Sequence, residues 1–149
     1  MPHALNMTMP LKQDAKSQEA LEELKKNFAG GIQQIISDAL AKSEIVHFAR
    51  ILIIDNKYIQ ILTEYDGDKR DYALFFLKEL PNVFESIFGL VEGAPLWTDL
   101  QKSADLFVET SKNFDLRALG TKVDDDEAGW LFSALGNKTV EDIKKALAK

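Results

Sequence analysis

EIVHFARILIID, residues 44–55, is the stretch on which the reading of the fold turns. It is a β-rich, nearly unbroken apolar run, so it reads as a strand. Strand alternation puts His47 on one face with Ile45, Ala49, Ile51 and Ile53, and Arg50 on the other with Val46, Phe48, Leu52 and Ile54. On that count His47 and Arg50 cannot belong to one site. Both faces are apolar, which predicts a central strand. Asp55-Asn56-Lys57 is a short polar connection of the kind that closes a hairpin. The run after it alternates, with Ile59, Ile61 and Thr63 against Tyr58, Gln60, Leu62 and Glu64, so a second strand is predicted over residues 57–65.

Upstream of this hairpin, residues 3–11 alternate in the same way, with Leu5, Met7, Met9 and Leu11 on one side of a third strand. Between it and the hairpin, Leu21, Leu24, Phe28, Ile32, Ile35, Ile36, Ala39 and Leu40 recur at helical spacing, and Asp14 or Ser17 caps the start. Gly30-Gly31 interrupts that helix, which implies either a bend or a close neighbour. Downstream, Asp66 or Asp68 caps a helical stretch through Tyr72, Phe76, Phe84 and Phe88. Pro81 predicts a kink or two abutting helices there. A further helical pattern runs from Leu96 to about Arg117, followed by the acidic connection KVDDDEAG. Trp130–Leu135, WLFSAL, reads as a final short strand, and Thr139 with Asp142 three residues on marks the cap of a terminal helix.

The chain has 149 residues, about one domain's worth, and no linker long enough to divide it, so a single domain over residues 1–149 is expected. No apolar stretch approaches the ~18 residues that would span a bilayer. No basic leader precedes an apolar block, and none of the 149 residues is cysteine. These features predict a cytoplasmic protein without disulfides, cysteine-held metals or thiolate nucleophiles, and with no membrane partner. A net charge of -6 repels phosphate backbones, so nucleic acid is not an expected partner.

The order strand, helix, strand, strand, helices, strand, helix is β-α-β-β-α-β, the split arrangement of ferredoxin-like domains. It predicts an α+β fold with an antiparallel four-stranded sheet, helices on one face and extra C-terminal helices. The uncovered face would be apolar, and such a patch recruits a partner. VHFARILIID with the hairpin and TEYDGDKRDYALFF after it, together with LFSALGNKTVEDI, resembles uncharacterised bacterial members of the dimeric α/β-barrel superfamily. The resemblance covers residues 1–143 and departs from the pattern at the double glycine and at KVDDDEAG. It implies a homodimer in which two ferredoxin-like sheets close face to face. That superfamily includes haem peroxidases and chlorite-degrading enzymes, cofactor-free monooxygenases, lactone isomerases and ligand-binding regulators, so it implies no single chemistry.

His47 is the candidate catalytic acid or base, because imidazole titrates near neutral pH. Its plainer role is that of a hydrogen-bonded histidine in a buried strand. Asn6, Arg50, Gln60, Glu64 and Trp130 are the candidate substrate-binding residues, with Gln60 and Asn6 orienting a carbonyl or hydroxyl. Arg50, if buried, must pair with a carboxylate, and Glu64 and Asp66 are within reach through the hairpin. Tyr65-Asp66-Gly67-Asp68 lacks the ligand spacing of a calcium loop and is read as helix capping, so no metal site is expected. No cofactor is expected. Haem is the remaining cofactor alternative, although no predicted helix carries a histidine to ligate it. Two functions stay open: binding or converting a small apolar or aromatic molecule by cofactor-free oxidation or isomerisation, or a noncatalytic dimerisation or ligand-sensing module. A cavity near ~300 Å³ favours the first.

Overall fold

Three strands and seven helices form among residues 2–121 and 131–148, the residues described by this structure, a computed structural model. The chain runs β1 (Pro2–Pro10), α1 (Ala15–Asn27), a π-turn (Phe28–Ile32), α2 (Gln33–Lys42), β2 (Val46–Ile54) and β3 (Tyr58–Asp66). It continues through α3 (Lys69–Glu79), α4 (Pro81–Phe88), α5 (Trp97–Lys102), α6 (Ala104–Phe114) and α7 (Val140–Leu147). The sheet is antiparallel with order β1-β3-β2, giving a mixed α+β fold.

The hairpin forms as its sequence predicts. Asp55 and Asn56 both take positive φ, 52° and 55°, and the Lys57 amide donates to the Ile54 carbonyl at 2.9 Å. Two left-handed residues between the strands match their natural twist, and the short polar side chains of Asp and Asn tolerate that conformation. Asp14 caps α1 through the Ser17 amide, and Asp68, rather than Asp66, caps α3 through the Asp71 amide. Pro81 stands at the first turn of α4, where it gives up no helical hydrogen bond, so the stretch divides into two abutting helices. Thr139 and Asp142 complete a reciprocal capping box on α7. At Gly30-Gly31 the helix passes through its π-turn, and no neighbour lies within 4 Å of where either Cβ would sit. The interruption is therefore a change of helical winding and not a close contact.

Leu5, Met7, Met9, Ile59, Ile61 and Tyr65 on one face of the sheet are buried against Leu21 and Leu24 of α1, Phe76 of α3, Phe84 and Phe88 of α4, Leu100 of α5 and Phe107 of α6. The opposite face displays Phe48, Leu52, Ile54 and Tyr58, all exposed. A chain of ring contacts, Phe76 to Phe84 at 4.5 Å and Phe84 to Phe107 at 5.8 Å, ties α3, α4 and α6 together.

Two expectations are corrected. First, β2 is an edge strand and β3 is central: the apolar residues on both sides of β2 reflect one half-buried face and one apolar face left uncovered. Second, the fourth strand over Trp130–Leu135 is not seen. Residues 131–135 form no strand, and Trp130 lies outside the described residues. The outer edge of β1, where a fourth strand would add, is occupied otherwise. Leu11 bridges Val91, Met7 bridges Asp115, and the Leu116 amide donates to the Asn6 carbonyl at 2.9 Å. These short segments satisfy backbone groups that would be left exposed on a bare edge.

Candidate functional site

His47 sits where β2 leaves regular alternation. Val46 pairs with Tyr65 and Phe48 with Glu64, so two residues of β2 stand opposite one step of β3, a β-bulge. The bulge returns Val46 to the buried face while Phe48, Arg50, Leu52 and Ile54 stay on the open one. Uninterrupted alternation had placed Val46 with Arg50, which the bulge corrects. It also turns the His47 ring toward the end of β3, where Nε2 lies 2.9 Å from Asp66 Oδ1. The two side chains are only 11% and 9% exposed.

Asp66 is the node of this region. Its second oxygen, Oδ2, accepts from the Val140 amide at 2.8 Å, the first helical residue of α7. The amides at a helix start lack intrahelical acceptors, and the helix dipole places positive potential there, so a carboxylate is well accommodated. One buried carboxylate thus fastens both the imidazole and the C-terminal helix. Lys144 adds a second fastening, donating to the Ser43 carbonyl at 2.7 Å and the Ala41 carbonyl at 3.1 Å.

Between the end of the sheet and the segment 131–144 lies a cleft of about 420 Å³. His47, Phe48 and Glu64 line its sheet side, Leu40 and Val46 its floor, and Phe132, Leu135, Lys138 and Ile143 its C-terminal side. An interior gap beside Tyr72 and Phe107, about 20 Å³, is large enough for no more than a water. Burial holds the Glu64 carboxyl above the ordinary glutamate value of 4.5, against the opposing pull of Arg50 and then of His47. Glu64 therefore senses both residues that simple alternation had separated.

The folded chain holds the Glu64 proton more tightly than the unfolded chain. The stabilising contribution is accordingly present below about 4.5 and lost as pH rises through the folded value. Glu64→Gln is expected to unfold at higher urea than the wild type at about pH 7 and at equal urea near pH 4. A variant no more stable than the wild type at the higher pH would contradict the burial of this carboxyl.

Of the candidate residues, His47 and Glu64 come together in the cleft. Arg50 lies beside Glu64 on the open face, exposed, and forms no ion pair within 4.0 Å among the described residues. The expected pairing of Arg50 with Asp66 does not form, because His47 and Val140 take the Asp66 oxygens. Gln60 donates to Thr8 Oγ1 at 3.1 Å across the strand pair, and Asn6 donates through Nδ2 to the Leu116 carbonyl at 3.1 Å. Neither lines the cleft. Trp130 lies outside the described residues. Asp66 is the functional candidate that sequence reasoning read as a cap or a partner for Arg50. Its spacing of 19 residues from His47 across the hairpin was a usable signal, whereas its bond to Val140, 74 residues away, was not. Among the described residues no three His, Asp or Glu side chains gather as a metal-binding group, and both histidines lie on strands. No described helix is long and apolar enough to cross a membrane. Comparison with protein-family models, with curated proteins and with solved structures finds no match to this chain.

Proposed function

We propose that the cleft at the end of the sheet receives a small apolar or aromatic molecule and that His47, held by Asp66, moves a proton on it without a cofactor. The observation that carries this reading is His47 in the wall of a cleft of about 420 Å³, held from behind by Asp66 at 2.9 Å. That volume falls in the ~300–1,000 Å³ range of small-molecule sites, and its walls are largely aliphatic and aromatic. A carboxylate on Nε2 favours the tautomer with the proton on that nitrogen, leaving Nδ1 as the basic atom. It also stabilises the imidazolium formed when Nδ1 takes a proton. Glu64, in the wall of the same cleft, is placed to hold a polar group of the bound molecule. Proton removal from carbon followed by its return elsewhere is an isomerisation, and this pair supplies the groups it needs.

The test follows solvent deuterium into a bound carbon acid. Small aromatic ketones and lactones are screened for binding by shifts of the His47 and Phe132 resonances, and the binders are then incubated in heavy water. The wild type is expected to catalyse exchange, and His47→Gln to lose it by on the order of a hundredfold while binding is retained. Equal exchange by the folded variant would remove His47 from the mechanism.

A second reading is favoured by a separate observation. Phe48, 73% exposed, stands with Leu52, Ile54 and Tyr58 on the uncovered sheet face, and contiguous apolar surface of this kind marks association. We propose that two copies pair through these faces, each contributing a sheet related to the ferredoxin-like type, as in a dimeric α/β barrel. The 1-3-2 antiparallel order supports that relation. Under this reading the chain is a dimerisation module whose cleft senses a ligand without converting it. Sedimentation showing only the 16.8 kDa species at micromolar concentration would overturn the pairing. The cytoplasm is the proposed compartment, supported by the absence of cysteine from the sequence.

A further inference from the structure

The helix interrupted by Gly30-Gly31 has a role that the cleft at His47 does not explain. Leu21 and Leu24 of α1 and Phe28 of the π-turn face Ile51 and Ile53 of β2 and Ile59 of β3, and together they bound a half-open space of about 210 Å³. This space lies on the helix-covered side of the sheet, toward the hairpin, and none of the residues lining it lines the His47 cleft. Its one polar neighbour is Lys25, whose Nζ is already engaged by Glu22 Oε1 at 2.8 Å and Asn56 Oδ1 at 2.7 Å. An ordered water needs two to four polar partners, which these walls do not offer.

We propose that this space is a second binding site, for a single uncharged ring or short branched hydrocarbon. Three properties select that occupant. A cavity of about 150 Å³ lined by Leu, Ile and Phe holds one benzene ring, so 210 Å³ accommodates a ring with a substituent. An anionic head group would compete at Lys25, the one cation lining the space, with Glu22 and Asn56, which already accept from its Nζ. A macromolecular partner would also meet the exposed charges that α1 carries at Glu22, Glu23 and Lys26, next in sequence to Leu21, Leu24 and Lys25. The wall beside it is also pliant. π-turns recur at functional sites, and Gly30 and Gly31, having no packed neighbours, lower the resistance of this one to rewinding around an occupant.

Toluene is the probe. Titrated into the full chain carrying labelled Leu and Ile methyls, it is expected to shift Leu24, Ile51, Ile53 and Ile59 saturably, with a dissociation constant separate from that of any shift at Leu135 and Ile143 of the other cleft. Ile53→Phe fills the space with a residue suited to a strand and is expected to weaken toluene by about tenfold. Ile51→Phe, at the other β2 position lining the space, serves the same purpose if the first variant fails to fold. Absence of saturable shifts at these methyls, or unchanged affinity in a folded filled variant, would overturn the site. So would the same shifts appearing without toluene as protein concentration rises, since the space would then be covered by a second copy.

Discussion

Replacing Asp66 by alanine is expected to lower stability by about 3 kcal/mol and to loosen the C-terminal helix from the sheet. The carboxylate has two partners, the His47 ring at Nε2 and the Val140 backbone amide, and its removal leaves both without their acceptor in a buried setting. A charge-assisted hydrogen bond contributes roughly 1.5–3 kcal/mol, and loss of a side-chain acceptor at a helix start costs about 1 kcal/mol. Asp66→Asn keeps one carbonyl oxygen and can serve one partner well, so it should fall between wild type and alanine. Urea unfolding measures the stability. Hydrogen exchange of the first amides of α7 measures the detachment, which should quicken in Asp66→Ala more than in any part of the sheet. A loss under about 1 kcal/mol would show that the node does not hold the two elements together.

Phe84→Ala is expected to cost about 4 kcal/mol, the largest effect of any single truncation considered. The side chain is 2% exposed and touches rings on three helices: Phe76 at 4.5 Å, Phe88 at 6.1 Å and Phe107 at 5.8 Å between centroids. Removing it forfeits apolar burial, leaves a cavity, and severs ring pairs worth about 0.5–1.5 kcal/mol each beyond their area. Phe48→Ala is the matched control: the same chemistry removed from a ring 73% exposed should shift stability by less than about 0.5 kcal/mol in the isolated chain. Equal losses at the two positions would mean that Phe48 is buried in solution, as pairing of the open sheet faces requires.

Local chemistry was legible where a residue type has one dominant use. Asp55-Asn56 announced the hairpin, Pro81 the division between α3 and α4, and Thr139 with Asp142 the start of α7, because each acts within three or four residues of itself. What escaped depends on partners distant in the chain. An apolar run such as WLFSAL suits a strand or an irregular segment packed on other apolar groups, and only knowledge that 90–92 and 115–116 already guard β1 decides against the strand for 131–135. Apolar residues on both sides of β2 suggested a central strand, since composition does not distinguish a face covered by its own helices from one left open. The bulge at His47 has no marker in a two-residue period, and the error it introduced placed Val46 on the wrong side. Of the candidate site, His47 and Glu64 were found because ionisable groups in apolar strands are conspicuous. Asp66 was misassigned because Asp68, two residues on, competes for the same capping role.

The pairing pattern also orders events during folding. β2 and β3 are joined by the three residues 55–57 and can register with each other at once, whereas Pro10 of β1 meets Tyr58 only after nearly fifty intervening residues have been gathered in. The hairpin therefore offers a nucleus formed early, with the N-terminal strand arriving later at the far side of β3. Until it does, Ile59, Ile61 and Thr63 present an unpaired edge, and the interval before β1 docks is when this chain is most exposed to mispairing with its neighbours.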